Sequence, residues 1–367
     1  MSERITPILM PKWGLSMREG KLSAWHVEEG EVIAPGREIM DVETEKIANA
    51  VEAVDGGLLR RKVGKEGETY PVKALLGVLA EKDVAEAEID AYVANFVTPV
   101  SGEDEEAAPT YLTVETPSGR LRYAERPGEG DPIVFIHGFG GDLNNWLFNI
   151  DAAAEHGPVY ALDLPGHGGS TKTVAMPGLA GLAEAVTQFM DALKLKNANL
   201  VGHSLGGAIA MFIALHRKDL VRSLTLISSA GLGEEINADY IDGFVLAESR
   251  RDLKQPLQHL FANPDLVSRA MIEDLLKYKR LDGVPQALQG IAATVFPGGK
   301  QGDALAGDLA KASVPVQIIW GAKDAIIPAA HAKSVPRARV EIIEEAGHMA
   351  QMEAAGRVNE LIRAQAH

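Results

Sequence analysis

The period of the hydrophobic pattern changes near residue 110. Over residues 1–80, apolar and polar positions alternate in short runs at Ile8–Met10, Gly20–His26, Glu31–Val32, Glu38–Val42, Ile47–Val51, Gly57–Val63 and Leu75–Leu79. Successive side chains of a strand point to opposite faces, so this alternation predicts half-buried strands. Turn formers punctuate them: Pro11, Gly14, Gly30, Pro35-Gly36, Asp55-Gly56-Gly57 and Gly67. No run is long enough for a helix. The pattern predicts a small all-β sandwich or flattened barrel over 1–80.

From Thr110 onward, strands alternate with helical stretches. Strands are expected at Tyr111–Glu115, Leu121–Glu125, Ile133–His137, Val159–Asp163, Ala198–Gly202, Ser223–Ser228, Val316–Trp320 and Val340–Ile343. Helices are expected at Leu179–Leu195, Gly206–Leu215 and Ala355–Ala366. Pro132–His137, Asn199–Gly202 and Pro315–Trp320 are mostly apolar and read as central strands covered on both faces. This predicts a doubly wound, mostly parallel α/β domain over 110–367. Residues 231–300 interrupt the alternation with helical, charged sequence and read as an inserted cap above the carboxyl ends of the strands.

Charge places the joint between these regions. Residues 81–109 hold nine acidic residues and one lysine, about half of the chain's net −15. Like charges extend a chain, so 81–109 reads as an acidic linker, with one short helix expected within Val84–Val97. The overall acidity argues against nucleic acid or an anionic membrane as partner. There is no apolar run long enough to span a bilayer and no signal peptide, which points to a cytoplasmic protein. With no cysteine, disulfides, thiolate metal sites and a cysteine nucleophile are excluded. No His/Asp/Glu cluster has metal-ligand spacing.

Two stretches carry candidate chemistry. In Val42-Glu43-Thr44-Glu45-Lys46-Ile47, one lysine stands between two alternating runs, at the tip of an expected hairpin. In Gly202-His203-Ser204-Leu205-Gly206, G-x-S-x-G follows a buried strand and precedes a helix. That context makes a sharp turn that lifts a serine hydroxyl above the sheet, with small residues letting neighbouring backbone pass. The helix beginning there aims its N–H groups at developing negative charge.

Met10-Pro11-Lys12-Trp13-Gly14, Glu19-Gly20, Glu29-Gly30, the Glu43–Lys46 run and Gly56-Gly57 together resemble a lipoyl domain of 2-oxo-acid dehydrogenase complexes. Biotinyl domains share that fold but flank their lysine with methionine; Glu45 and Ile47 favour lipoate. The resemblance makes Lys46 the site of covalent lipoate. The second domain resembles the α/β-hydrolases. His137-Gly138-Phe139-Gly140-Gly141 matches their oxyanion loop, which would make Phe139 and Leu205 N–H the oxyanion donors. Ser204, Asp324 and His348 stand in the family's nucleophile–acid–base order. His137 and His203 are expected to be scaffold, and Asp163 a structural turn residue. Lys277-Tyr278-Lys279-Arg280 reads as a solvated helix face rather than a site for coenzyme A phosphates.

A lipoyl domain joined to an α/β-hydrolase domain resembles the dihydrolipoamide acetyltransferase components of acetoin dehydrogenase complexes. The His-x-x-x-Asp-Gly signature of ordinary complex acyltransferases is missing at Arg357–His367. The resemblance implies acetyl transfer from lipoyl-Lys46 to coenzyme A. It implies as partners a thiamine-diphosphate acetoin-cleaving enzyme and a dihydrolipoamide dehydrogenase, and it is compatible with a homo-oligomer. Two other readings fit the same motifs: a hydrolase or thioesterase carrying a lipoyl domain, and a non-catalytic lipoyl carrier.

Overall fold

The computed structural model describes residues 4–13, 17–44, 48–98 and 111–366. The chain divides into two compact units, Met1–Pro109 and Thr110–His367.

The first unit is built from β1 (Ile5–Leu9), β2 (Glu19–Trp25), β3 (Val32–Ile33), β4 (Glu38–Glu43), β5 (Ala48–Glu52), β6 (Gly57–Lys62), β7 (Thr69–Pro71) and β8 (Leu75–Ala80). They form two antiparallel four-stranded sheets, β1-β8-β6-β3 and β5-β4-β2-β7. Met10, Leu22, Ile33, Met40, Val42, Leu59 and Leu76 meet in the core between them. Of these strands only β7 was not expected; it is three residues long and mostly exposed, too short to alternate visibly. β4 and β5 pair antiparallel with Glu43 opposite Ala48. The segment joining them contains Lys46, which lies outside the described residues.

The acidic stretch differs from an extended linker. Glu86–Asn95 is helix α1. It buries Ile89 against Ile5, Leu75 and Val78 of the first unit, a burial that stabilises by about 1.5–3 kcal/mol. Its acids meet arginines far away in sequence: Arg61 bonds Glu86 at 2.9 Å and Asp90 at 2.7 Å, and Arg60 also pairs with Glu86. Arg4 holds Glu81 at 3.0 Å. The stretch between the units therefore begins after α1 rather than at Glu81, and residues 99–110 lie outside the described residues.

The second unit holds β9 (Leu112–Thr116), β10 (Gly119–Arg126), β11 (Ile133–Ile136), β12 (Val159–Leu162), β13 (Ala198–His203), β14 (Val221–Ile227), β15 (Val316–Gly321) and β16 (Arg339–Ile343). The sheet order is β9-β10-β12-β11-β13-β14-β15-β16. β9 and β10 are antiparallel to their neighbours, and the rest run parallel. The helices are α2 (Ile150–Ala153), α3 (Leu179–Ala192), α4 (Leu205–His216), α5 (Ala238–Leu246), α6 (Arg250–Gln258), α7 (Arg269–Lys279), α8 (Val284–Val295), α9 (Ala306–Leu309), α10 (Ala350–Glu353) and α11 (Ala355–Ala366). One large core joins Val134, Ile136, Leu200, Leu224, Leu226 and Ile318 of the sheet to α3, α4 and the inserted helices. α5 to α8 occupy the insertion between β14 and β15. Glu235 and Lys300, near its two ends, form an antiparallel bridge. Among the described residues, no helix is long and apolar enough to cross a membrane.

Candidate active site

Ser204 sits between β13 and α4 with φ +53°, a left-handed conformation that a non-glycine residue adopts only when its surroundings hold it there. They do so here: Ser204 N–H donates to Ile227 O, and its own carbonyl accepts from Gly207, Ala208 and Ala230. The glycines on either side are sterically required. A Cβ on Gly206 would lie 2.0 Å from Ile136 O, and one on Gly202 would lie 2.4 Å from Gly206 O. The motif's small residues are thus fixed by backbone crossing at the turn.

Asp324 and His348 meet beyond the ends of β15 and β16. His348 Nδ1 is 2.8 Å from Asp324 Oδ2, with both side chains buried. A carboxylate only accepts, so Nδ1 carries the proton and Nε2 is left as the basic nitrogen. The other carboxylate oxygen of Asp324 accepts from Ile326 N–H at 2.8 Å and Ile327 N–H at 3.0 Å, which fixes the acid. Ser204 is 6% exposed and His348 1%. Both side chains are therefore largely shielded from bulk water.

The loop after β11 supplies the third part. A Cβ on Gly138 would touch Ser204 Cβ at 3.0 Å, so this loop lies against Ser204. Gly140 N–H donates to His167 Nε2 and Gly141 N–H to Gly138 O. Among the described residues, neither Phe139 N–H nor Leu205 N–H meets a protein acceptor. These are the two donors expected for an oxyanion.

Three buried histidines brace the site as neutral rings. His137 Nε2 accepts from Leu164 N–H and His203 Nε2–H donates to the carbonyl of His348 itself. The third is His167, whose sequence context carried no sign of this role. Its Nδ1 faces Pro165 O at 3.0 Å, so that nitrogen donates, and Nε2 accepts from Gly140. Burial pushes His167 down to about 3 and lowers His137 and His203 as well. For such a group, stability is fully present above the ordinary histidine range near 6.5. For His167 it is lost as pH falls from there toward 3, by up to about 1.4 kcal/mol per unit, and His137 and His203 act in the same direction. His167→Gln, which keeps an acceptor for Gly140, is expected to flatten the decline in urea midpoint between pH 6.5 and 5. An unchanged slope would contradict this assignment.

Asp163 is a turn brace, accepting from Leu143 N–H at 2.9 Å and Gly169 N–H at 2.6 Å beside Arg122. Glu353 ties Gly347, next to His348, to Ala262 of the insertion through bonds of 2.8 and 2.7 Å. Burial pushes its carboxyl up, against the pull of those N–H donors. The Lys277–Arg280 run is only partly a solvated face. Tyr278 donates to Gly166 O, and Lys279 turns inward to the carbonyls of Phe244 and Val245. Among the described residues, no cluster of His, Asp or Glu could hold a metal ion.

Comparison with known proteins defines the family. A model of the alpha/beta hydrolase fold matches residues 131–355, and a biotin/lipoyl model, described as biotin-requiring enzyme, matches residues 6–79. The meta-cleavage product hydrolase of Pseudomonas fluorescens superposes with a TM-score of 0.62 at 22% identity, over 69% of this chain and 96% of that one. That likeness shows the fold of the second unit. The dihydrolipoyllysine-residue acetyltransferase component of the acetoin cleaving system of Cupriavidus necator is 50% identical over 365 residues, covering 99% of this chain and 98% of that protein. The chain belongs to this acetyltransferase family. The Pseudomonas putida member is 48% identical over 361 residues, with 97% of each chain covered. Members are components of a multienzyme system. Both units of the chain, and so both candidate centres, fall inside the matched length.

Proposed function

We propose that this chain transfers an acetyl group from lipoyl-Lys46 to coenzyme A in acetoin catabolism, by way of an acetyl ester on Ser204. The β4–β5 hairpin suits the attachment: its strands are in register up to Glu43 and Ala48, and Lys46 belongs to the short segment joining them. Lipoate on that lysine supplies a thiol that carries the acetyl group as a thioester. The partners that load and reoxidise it are a thiamine-diphosphate acetoin-cleaving enzyme and a dihydrolipoamide dehydrogenase.

In the first half-reaction, Ser204 Oγ attacks the thioester carbonyl and its proton passes to His348 Nε2. The C–S bond then breaks and His348 returns the proton to the departing thiol. In the second half, His348 Nε2 takes the proton of the coenzyme A thiol. The sulfur attacks the acetyl-serine carbonyl, and the proton ends on Ser204 Oγ. Asp324 holds the imidazole in the tautomer that both halves need. Phe139 and Leu205 N–H groups stabilise each tetrahedral oxyanion, at about 3 kcal/mol per donor.

The reading rests above all on the buried Asp324–His348 contact and the strained serine, in a chain related over almost its full length to acetoin-system acetyltransferases. Its test is a product balance. Lipoylated protein is mixed with the acetoin-cleaving enzyme, acetoin and coenzyme A, and acetyl-CoA is measured against acetate. Acetyl-CoA is the expected main product; acetate in its place would make the protein a thioesterase.

A further inference from the structure

The route through an acyl-serine raises a question that the triad alone does not answer, since the same three residues serve hydrolysis equally well. The aromatic side chains above the site bear on it. Phe244 of α5 is buried, and its ring packs closely against the loop after β11. A Cβ on Gly140 would fall 2.5 Å from both Cε1 and Cζ of that ring. Phe139 meets Phe244 edge-on at 5.8 Å between ring centres and meets Phe296, at the end of α8, at 5.9 Å. The ring of Phe139 in the loop therefore packs with rings from α5 and the end of α8, next to Gly138, on which a Cβ would meet Ser204 Cβ at 3.0 Å. Mechanistically, Phe139 is needed only for its N–H, and the rings of Phe244 and Phe296 are not needed at all.

Phe244 is held by an unusual means. Lys279 of α7 is 7% exposed, and its ammonium donates to the carbonyls of Phe244 and Val245, the latter at 3.1 Å. These carbonyls belong to the last turn of α5, where the helix has no partner for them and carries partial negative charge. The same ammonium stands 5.0 Å from the Phe244 ring centre, within cation–π range. Burying an amine is costly unless it is bonded, and here its bonds fix one phenylalanine above the oxyanion loop.

We propose that the Phe139–Phe244–Phe296 roof decides the fate of acetyl-Ser204, with Phe244 as the specificity-determining residue and Lys279 as its positioning residue. The proposal rests on the acyl-serine reading above. A water molecule needs two to four polar partners to occupy a buried site, and three hydrocarbon rings offer none. A thiol, with weak hydrogen bonding, loses less on entering the same space. Under the roof, the ester C–O bond is broken by the coenzyme A sulfur, whose proton passes through His348 to Ser204 Oγ. Without it, water attacks the same carbon, one of its protons takes that route, and the products are acetate, a proton and free Ser204.

The test uses full-length lipoylated protein, S-acetyldihydrolipoamide and coenzyme A. Phe244→Ala is expected to raise the acetate to acetyl-CoA ratio about tenfold or more, while the rate of thioester consumption changes far less. Phe244→Leu should restore most of the wild-type ratio. Lys279→Met, which keeps the stem but not the amine, should shift the ratio the same way by a smaller factor. If Phe244→Ala does not fold, Lys279→Met and Phe296→Val probe the same roof from other segments. An unchanged ratio in folded variants would overturn the proposal. Ser204→Ala separates the two levels: if it makes acetyl-CoA at an undiminished rate, the acyl-serine reading fails and the roof's role with it. If it is inactive while the roof variants keep the wild-type ratio, only the roof proposal fails.

Discussion

Ser204→Ala is expected to lower acetyl-CoA formation by about 10³-fold or more, without changing the fold. The side chain occupies a backbone turn whose strain is borne by main-chain bonds to Ile227, Gly207, Ala208 and Ala230, none of which needs the hydroxyl. Alanine can therefore replace serine in place, and the melting temperature should move little. What disappears is the oxygen proposed to take the acetyl group. Residual turnover would be direct attack of coenzyme A on the bound thioester, assisted by the Phe139 and Leu205 donors alone. Asp324→Asn should be nearly as damaging for a different reason. An amide in place of Oδ2 can present its N–H to His348 Nδ1, which favours the wrong tautomer and places the proton on Nε2.

Lys46→Arg should reduce turnover in the reconstituted system to background, since arginine keeps the charge and length but offers no amine for an amide-linked lipoyl group. The same variant should process free S-acetyldihydrolipoamide within about twofold of wild type when that substrate is supplied at saturation, because tethering acts through effective concentration. This contrast distinguishes a carrier defect from a catalytic one. Ser204→Ala fails with both donors; Lys46→Arg fails only with the tethered one. Loss of activity toward the free donor in Lys46→Arg would mean that the first unit does more than carry the acetyl group.

Much of this organisation is legible in the residues themselves. Period-two alternation marks seven of the eight strands described in the first unit, and apolar runs mark three of the parallel strands of the second. The serine elbow is legible because steric crossing at Gly202 and Gly206 admits almost no other residue, so the motif and the geometry are one constraint. Other features leave no local trace. The packing of the acidic stretch Glu81–Asn95 depends on Arg4, Arg60 and Arg61, up to 79 positions away from the acids they meet. His167 reads as part of a turn, Leu162-Asp163-Leu164-Pro165-Gly166-His167, and only the folded chain puts its Nε2 under Gly140. Lys279 looks like one more cation in a charged helix. Its inward turn depends on the carboxyl end of α5, which lies 34 or 35 residues earlier. What escapes the sequence in each case is a long-range polar pairing, which has no periodicity to betray it.

The central claim is that the acetyl group passes through Ser204. The most direct test mixes the protein with S-acetyldihydrolipoamide in the absence of coenzyme A, quenches in acid and maps the peptides by mass spectrometry. An acetyl group on the peptide containing Ser204, lost on a chase with coenzyme A as acetyl-CoA appears in equal amount, is the predicted result. No acetylation of Ser204 at any time, together with undiminished acetyl-CoA formation by Ser204→Ala, would contradict it.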